Sequence, residues 1–421
     1  MTDRTDPEGA TAEVAKARAS GGDGTPIPPL PGPPGPPTLP EAPDMTRTRR
    51  TVLVVGGGTA GCALAVLLRR AGIAVDLVEA KADWNATTGS GISLQGNALR
   101  VLREAGLWEQ VRDRGRSTDG VTLTAPDGTD ILTQRDLRTG GDDLPATVGM
   151  QRPELQKILI EAVRASGTHV RLGCTMDRHA QDATGVDVSF TDGTTGRYDL
   201  VAAADGLNSP TRELIGITDK PAPTGLAIWR TPAPRPAGVD RTRLTYGGPA
   251  LIAGICPTGD TTVYAFLVEP HRDRASVAPA AYADEMRRLA AGYGGHWDEI
   301  RASVTDPAQV NYTRCDRLLV EGAWHRGRVV LVGDAAHACP PTLAQGAAMS
   351  LEDASVLAEL LSEHDTWDDG LLTAYRDRRV PRVRMVVDAS VRIGQWQLDG
   401  VRDADVPGLM SRTMAVLKEL P

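Results

Sequence analysis

Residues 51–80, TVLVVGGGTAGCALAVLLRRAGIAVDLVEA, constrain the fold more than any other stretch of the chain. Thr51–Val55 is a β-branched and aliphatic run long enough for one buried strand. A glycine turn follows, then a helical segment Thr59–Ala71 and a second strand, Ala74–Glu79. Gly56, Gly58 and Gly61 stand at GxGxxG spacing, and Glu79 closes the second strand 18 residues after Gly61. Each part has a mechanical reason. Gly56 allows a tight turn, Gly58 lets a pyrophosphate approach the backbone, and Gly61 lets helix and strand pack closely. Thr59 and Ala60 open the helix, whose free N–H groups favour an anion. The Glu79 carboxylate can accept hydrogen bonds from a ribose diol. A glycine-rich turn without a ligand shows the same three glycines, but here strand, helix and distal acid agree on an adenine dinucleotide. No basic residue stands immediately after Glu79 to take a 2′-phosphate, so FAD or NAD(H) fits better than NADP(H).

A second strand–loop–helix unit lies at 327–354, GRVVLVGDAAHACPPTLAQGAAMSLEDA. Val329–Val332 reads as a buried strand that stops at Gly333-Asp334, leaving a carboxylate at a strand's carboxyl end, where α/β sheets bind ligands. After Pro340-Pro341 and Gln345-Gly346, a run without Gly or Pro from Ala347 to Glu363 predicts a helix, its N-terminus opposite the acid. An ordinary strand–loop–helix crossover is the alternative.

With 421 residues the chain has room for about two domains. A formal net charge of −8 argues against nucleic acid as a partner. No apolar run approaches the length of a transmembrane segment. Five scattered cysteines without a CxxC suit a reducing cytoplasm, and neither they nor the seven histidines show metal-ligand spacing. Residues 21–44 hold ten prolines and few apolar side chains, so 1–44 reads as a disordered leader without a signal peptide's apolar core. A proline-motif ligand and translation from Met45 are the other readings of that leader.

Three signatures over about Thr51 to Val391 together resemble the flavin-dependent aromatic hydroxylases, single-component FAD monooxygenases similar to para-hydroxybenzoate and salicylate hydroxylases. The first is the glycine fingerprint. The second is Asp205-Gly206 with Ser209 and Arg212, a DGxxSxxR pattern. The third is GDAAHACPP. The resemblance implies an α/β fold: a Rossmann-like FAD-binding domain with an inserted antiparallel substrate sheet and a C-terminal helical stretch. It divides the chain into 48–120, 146–220 and 316–400 for FAD, 121–145 and 221–315 for the substrate sheet, and a tail from 401 to 421. It further implies that Asp205 touches FAD and the nicotinamide route, that Asp334 binds the ribityl hydroxyls, and that Arg152, in GMQRPELQKILIEAV, reaches the cofactor. Gly346 and Ala347 would face the flavin's pyrimidine edge. Pro340 and Pro341 would wall the reacting atoms. His337 would be structural.

The segments GLAIWRTPAP, TRLTYGG, ALIAGICP and TTVYAFLVE read as short strands, making Trp229, Arg230, Tyr246 and Tyr264 pocket candidates with side alternation choosing among them. Val121–Leu132 and Val186–Val201 read as hairpins, 281–305 as helical, Gly89–Leu107 as loop then helix, and Arg382–Gln397 as the last helical stretch. Arg230 is the candidate for an aromatic carboxylate or phenolate. The family often has glycine where Leu343 stands and asparagine where Ala348 stands. The implied chemistry is hydroxylation of an aromatic or polyketide-like molecule by a flavin hydroperoxide, with NADH or NADPH as reductant, in a cytoplasmic monomer or homodimer. A flavin reductase or dehydrogenase, and a non-redox binding or cyclising protein, remain open alternatives.

Overall fold

The computed structural model describes residues 50–85, 91–272 and 277–421. The leader, Met45 and Gly89 lie outside them. Thr51–Val55 is a central strand of a six-stranded sheet, between Ala74–Glu79 and Leu200–Ala203, with His169–Leu172 beyond one and Val329–Leu331 beyond the other. These pairings are parallel, and only the short His325–Arg326 strand at the edge runs antiparallel. Val52, Leu53 and Val54 are wholly buried, which is why the strand reads as an uninterrupted apolar run rather than an alternating one. The Thr59–Arg70 helix packs against the Gly346–Glu363 helix over this sheet. The carboxyl ends of two strands, at Val55 and Leu331, thereby stand two strands apart on the same edge of the sheet.

The second large sheet has eight strands, ordered His337–Ala338, Asn311–Leu319, Ala222–Pro234, Thr262–Pro270, Ile252–Pro257, Thr242–Tyr246, Gly120–Thr124 and Asp130–Arg135. It is antiparallel except where Thr242–Tyr246 runs beside Gly120–Thr124. One face buries Trp229, Ala265 and Leu267 against Met286 and Ile300 of the helices Tyr282–Ala290 and His296–Ser303. The expected single helical region at 281–305 is therefore two helices, broken at Gly292–Gly295, where Gly295 adopts φ +63°. Because side chains alternate, Arg230, Tyr264 and Phe266 face the other way. The His337–Ala338 strand pairs with Leu318 and Leu319, so the loop after the parallel sheet is stitched directly to the antiparallel one.

The C-terminal region differs from expectation twice. The last helical stretch begins at Asp369, not Arg382, and runs to Leu398 through Pro381. Asp368 caps it through Leu371 N, and buried ionic contacts of Arg379 and Arg382 flank the proline, offsetting its missing donor. Residues 401–421, expected as a tail, contain the helix Val406–Lys418, capped by Asp405 and anchored by the buried Leu417. Among the described residues no helix is long and apolar enough to cross a membrane. No group of His, Cys, Asp or Glu there could hold a metal ion.

Candidate functional site

The glycine turn shows which of its members are packed and which are open. A Cβ on Gly56 (φ +104°) would stand 2.4 Å from the Ala204 carbonyl oxygen, and one on Gly61 would stand 2.0 Å from Gly56 O. Around Gly58 nothing lies within 4 Å of that position. So Gly56 and Gly61 serve the turn and the helix packing, whereas Gly58 faces free space at the helix N-terminus. Glu79 braces the turn: Oε2 accepts from Gly57 N at 2.8 Å and Oε1 from Lys81 N at 2.9 Å. From the outer side Trp84 Nε1 and Gln156 Nε2 each donate to Gly57 O at 2.8 Å.

At the second strand end Gly333 takes φ +61°, and its N–H donates to Asp353 Oδ2 at 2.9 Å. Asp334 is open to water yet stands deep among protein atoms. This crowding pushes its carboxyl above the usual range, with His337 and Arg152 pulling the other way. A water-accessible carboxylate inside the body of the protein is the signature of a cleft wall. The Gly346–Glu363 helix begins beside it without a side-chain cap, and no atom lies within 4 Å of where a Gly346 Cβ would be. Its first-turn N–H groups are therefore available to a ligand.

Two arginines approach this cleft. Arg152 opens the Arg152–Ala165 helix and is exposed; it makes no hydrogen bond or ion pair to Glu154 or to any other described residue. Arg230 is half-buried; Nη2 donates to Thr313 Oγ1 at 3.0 Å, and among the described residues Nε has no partner and no carboxylate pairs with it. Burial, then the neighbouring charge of Arg152, lowers its pKa.

The FAD binding domain family model matches residues 49–390. The chain belongs to this family, that of the flavin-dependent aromatic hydroxylases. It is 32% identical over 371 residues to a Bacillus subtilis protein named as an FAD-dependent monooxygenase, covering 87% of this chain and 99% of that one. To the 2-heptyl-3-hydroxy-4(1H)-quinolone synthase of Pseudomonas aeruginosa it is 32% identical, covering 82% of this chain and 90% of the other. Among solved structures it resembles in fold Klebsiella pneumoniae HpxO complexed with FAD and uric acid (TM-score 0.75, 24% identity, 88% of this chain and 92% of that one). This flavin-dependent monooxygenase thus binds FAD.

Some residues singled out in the sequence turn away from the cleft of this hydroxylase. Trp229 is fully buried on the opposite sheet face, packed on Tyr282 and Tyr312, with Nε1 donating to Glu269 Oε1 at 2.9 Å. Alternation along the strand decides it: Arg230 lies on the sheet face nearer Arg152, so Trp229 lies on the other. Asp205 accepts from Ser209 Oγ and, at 3.0 Å, from Thr211 N, so its carboxylate holds the start of the Pro210–Leu214 helix. Arg212 is buried and donates to Ala335 O at 2.9 Å, tying this segment to the Asp334 loop. The backbone that favours glycine lies at Ala344 (φ +52°), one residue beyond Leu343, which is instead buried against Ala389 and Ile393. Pro341 is exposed and begins the short Pro341–Leu343 turn behind buried Pro340.

Beneath the site lies a buried ionic cluster that sequence reasoning missed. Asp353 pairs with His337 Nε2 (2.7 Å) and Arg379 Nε (2.7 Å); Glu352 pairs with Arg379 Nη1 (2.9 Å) and Arg382 Nε (2.8 Å). Asn97 Nδ2 donates both to Glu352 Oε1 (2.9 Å) and to Gln345 Oε1 (3.0 Å), just before the helix N-terminus. Only the adjacent Glu-Asp pair in a helix otherwise free of charge until Glu359 signals it.

Proposed function

We propose that this enzyme hydroxylates an aromatic or heteroaromatic small molecule that carries an anionic oxygen, with NADH or NADPH as reductant and dioxygen as oxidant. The residues present fit FAD: free space before Gly58 and Gly346, an unpaired Arg152, and a water-accessible Asp334 inside the body of the protein support it. On this reading Gly56, Gly58, Thr59, Ala60 and Gly61 receive the pyrophosphate with Arg152, and Glu79 takes the ribose. Asp334 takes the ribityl hydroxyls, and Gly346 and Ala347 offer N–H groups to the pyrimidine edge. Asp205 orders the loop beside them. FAD, when bound, supplies the activation of dioxygen. The protein's own part is to bind the ring, orient it and exclude water, with Pro341 as a wall of few conformations. We place the enzyme in the cytoplasm, as a monomer or homodimer; five free cysteines support the reducing compartment alone.

Arg230 carries the substrate reading. A guanidinium that burial and a second arginine both disfavour, without a carboxylate to compensate, is held for an anion that arrives from outside. Tyr264 and Phe266 stack 5.3 Å apart on the same sheet face and give an aromatic ring a flat surface beside that charge. The heteroaromatic rings in the names of the quinolone synthase and the uric acid complex support the same class. Arg230→Ala should raise the Michaelis constant for a turned-over phenol about tenfold or more, with FAD content unchanged. Arg230→Lys should be nearly as harmful, since an ammonium cannot reproduce a planar fork. Unchanged constants in both variants would remove Arg230 from the site.

A further inference from the structure

Among the described residues six buried side-chain polar atoms lack a hydrogen-bond partner, and native proteins leave few such atoms. Four of the six belong to three residues: Arg230 Nε, Ser390 Oγ, and both amide atoms of Gln397. Ser390 and Gln397 lie on the Asp369–Leu398 helix, two turns apart and so on one side of it, with Gly394 between them. That side meets the substrate sheet. A Cβ on Gly394 would stand 2.7 Å from Leu226 Cδ1 and 3.8 Å from Thr342 Cγ2. Leu398 packs on the buried cluster of Leu226, Ile228 and Val268, as does Phe266, the direct cross-strand neighbour of Arg230. Thr342 Oγ1 donates to Ser390 O at 2.8 Å, so the loop after Pro341 closes the same space. Ser390 stands beside the Cys339 thiol without a well-formed hydrogen bond to it. The helix side with Ser390, Gly394 and Gln397 thus meets, beside the Pro341–Leu343 turn, the sheet face that carries Leu226 and Arg230.

We propose that Gln397, assisted by Ser390, reads a lactam edge of the substrate ring, an N–H beside a C=O, while Arg230 holds the ring's anionic oxygen. A primary amide presents a donor and an acceptor side by side. A phenol or benzoate uses one of them and leaves the other buried and unpaired; a ring with adjacent N–H and C=O satisfies both. This specificity rests on the hydroxylase reading of the site and narrows it from aromatic rings in general to lactam-type heteroaromatics.

The test uses FAD-loaded protein and titration calorimetry with 4-hydroxyquinolin-2(1H)-one, whose acidic hydroxyl supplies the anionic oxygen, and its 1-methyl derivative, which lacks the N–H. The wild type should bind the parent lactam at least about tenfold more tightly than the methylated ring. Gln397→Leu should bring the two within about twofold at unchanged FAD content, and Ser390→Ala should weaken the parent lactam several-fold. If the leucine variant does not fold, the nearly isosteric Gln397→Met takes its place. Equal binding of the two rings by the wild type, no saturable binding of either, or a preference that survives Gln397 replacement overturns the proposal. Failure of the monooxygenase reading has a different signature. The FAD-loaded protein would then consume no oxygen with NADH or NADPH and any ring, while the calorimetric preference stood unaffected.

Discussion

Glu79 has one observed role and one proposed role. Its Oε2 and Oε1 accept from Gly57 N and Lys81 N in the turn, and the proposed ribose contact would use the acceptor capacity that is left. Glu79→Ala loses both the brace and the ribose contact, so FAD should bind more weakly by roughly 1.5–3 kcal/mol, about 10- to 150-fold. Fluorescence titration of apoprotein with FAD measures this, and an unchanged dissociation constant would sink the assignment. The turn was legible in the sequence because each steric demand is local: Gly56 and Gly61 each meet backbone within the motif or at the neighbouring strand end. Its outer clamp was not, because Trp84 and Gln156 reach Gly57 O from 27 and 99 residues away. Nor was the strained position. The left-handed backbone falls on Ala344, and only dihedral angles separate it from Leu343.

At the scale of elements, the helix that begins at Gly346 is aimed at the cleft by what lies under it. Glu352 and Asp353 are wholly buried, and Arg379 is the cation that neutralises both. Removing it leaves two carboxylates with less compensation in a place without water, which costs more than the pair itself stabilises. Arg379→Met should therefore cost about 3–5 kcal/mol in chemical denaturation and loosen FAD, since Asp353 also holds Gly333 N. Arg384→Met, which breaks an exposed pair with Glu321, should cost at most about 1 kcal/mol. Similar losses in both variants would show that the buried cluster is not what orients the helix. The same cluster explains why the C-terminal elements were misjudged in sequence. Arg378, Arg379 and Arg382 around Pro381 look like a solvated, broken segment, since one-dimensional patterning assigns charge to the surface. Here Arg379 and Arg382 face inward, and the carboxylates that pair with all three arginines lie on another helix.

Across the whole molecule that cluster also reaches the end of the described chain. Arg382 donates to Val416 O and Leu417 O, and Arg100 to Lys418 O and Glu419 O, so the last helix is gripped by the same residues that neutralise or approach Glu352. Burial pushes the carboxyls of Glu352 and Asp353 up, but Arg379 acts on both, with Arg382 on Glu352 and His337 on Asp353, and each is held below its usual range. A carboxylate whose folded pKa is depressed contributes stability that is fully present above its unfolded value, about 4, and is lost as pH falls through the folded value. Asp334 has the opposite sign. Its raised pKa means the folded state holds that proton more tightly, so its ionisation opposes folding as pH rises. Asp182 and Asp192 are also held low, by neighbouring threonines and arginines, but they are exposed and screened by solvent. The buried pair should therefore dominate. Thermal unfolding followed by flavin fluorescence should show a midpoint nearly level from pH 7 to about 5 and falling steeply below about 4, with FAD release and unfolding together. Asp334→Asn should weaken FAD retention at pH 7 yet leave the acid limb in place, because the carboxylates that produce the limb lie beneath the site. An acid limb that disappears in Asp334→Asn would assign it to the cleft and overturn the role given to Glu352 and Asp353.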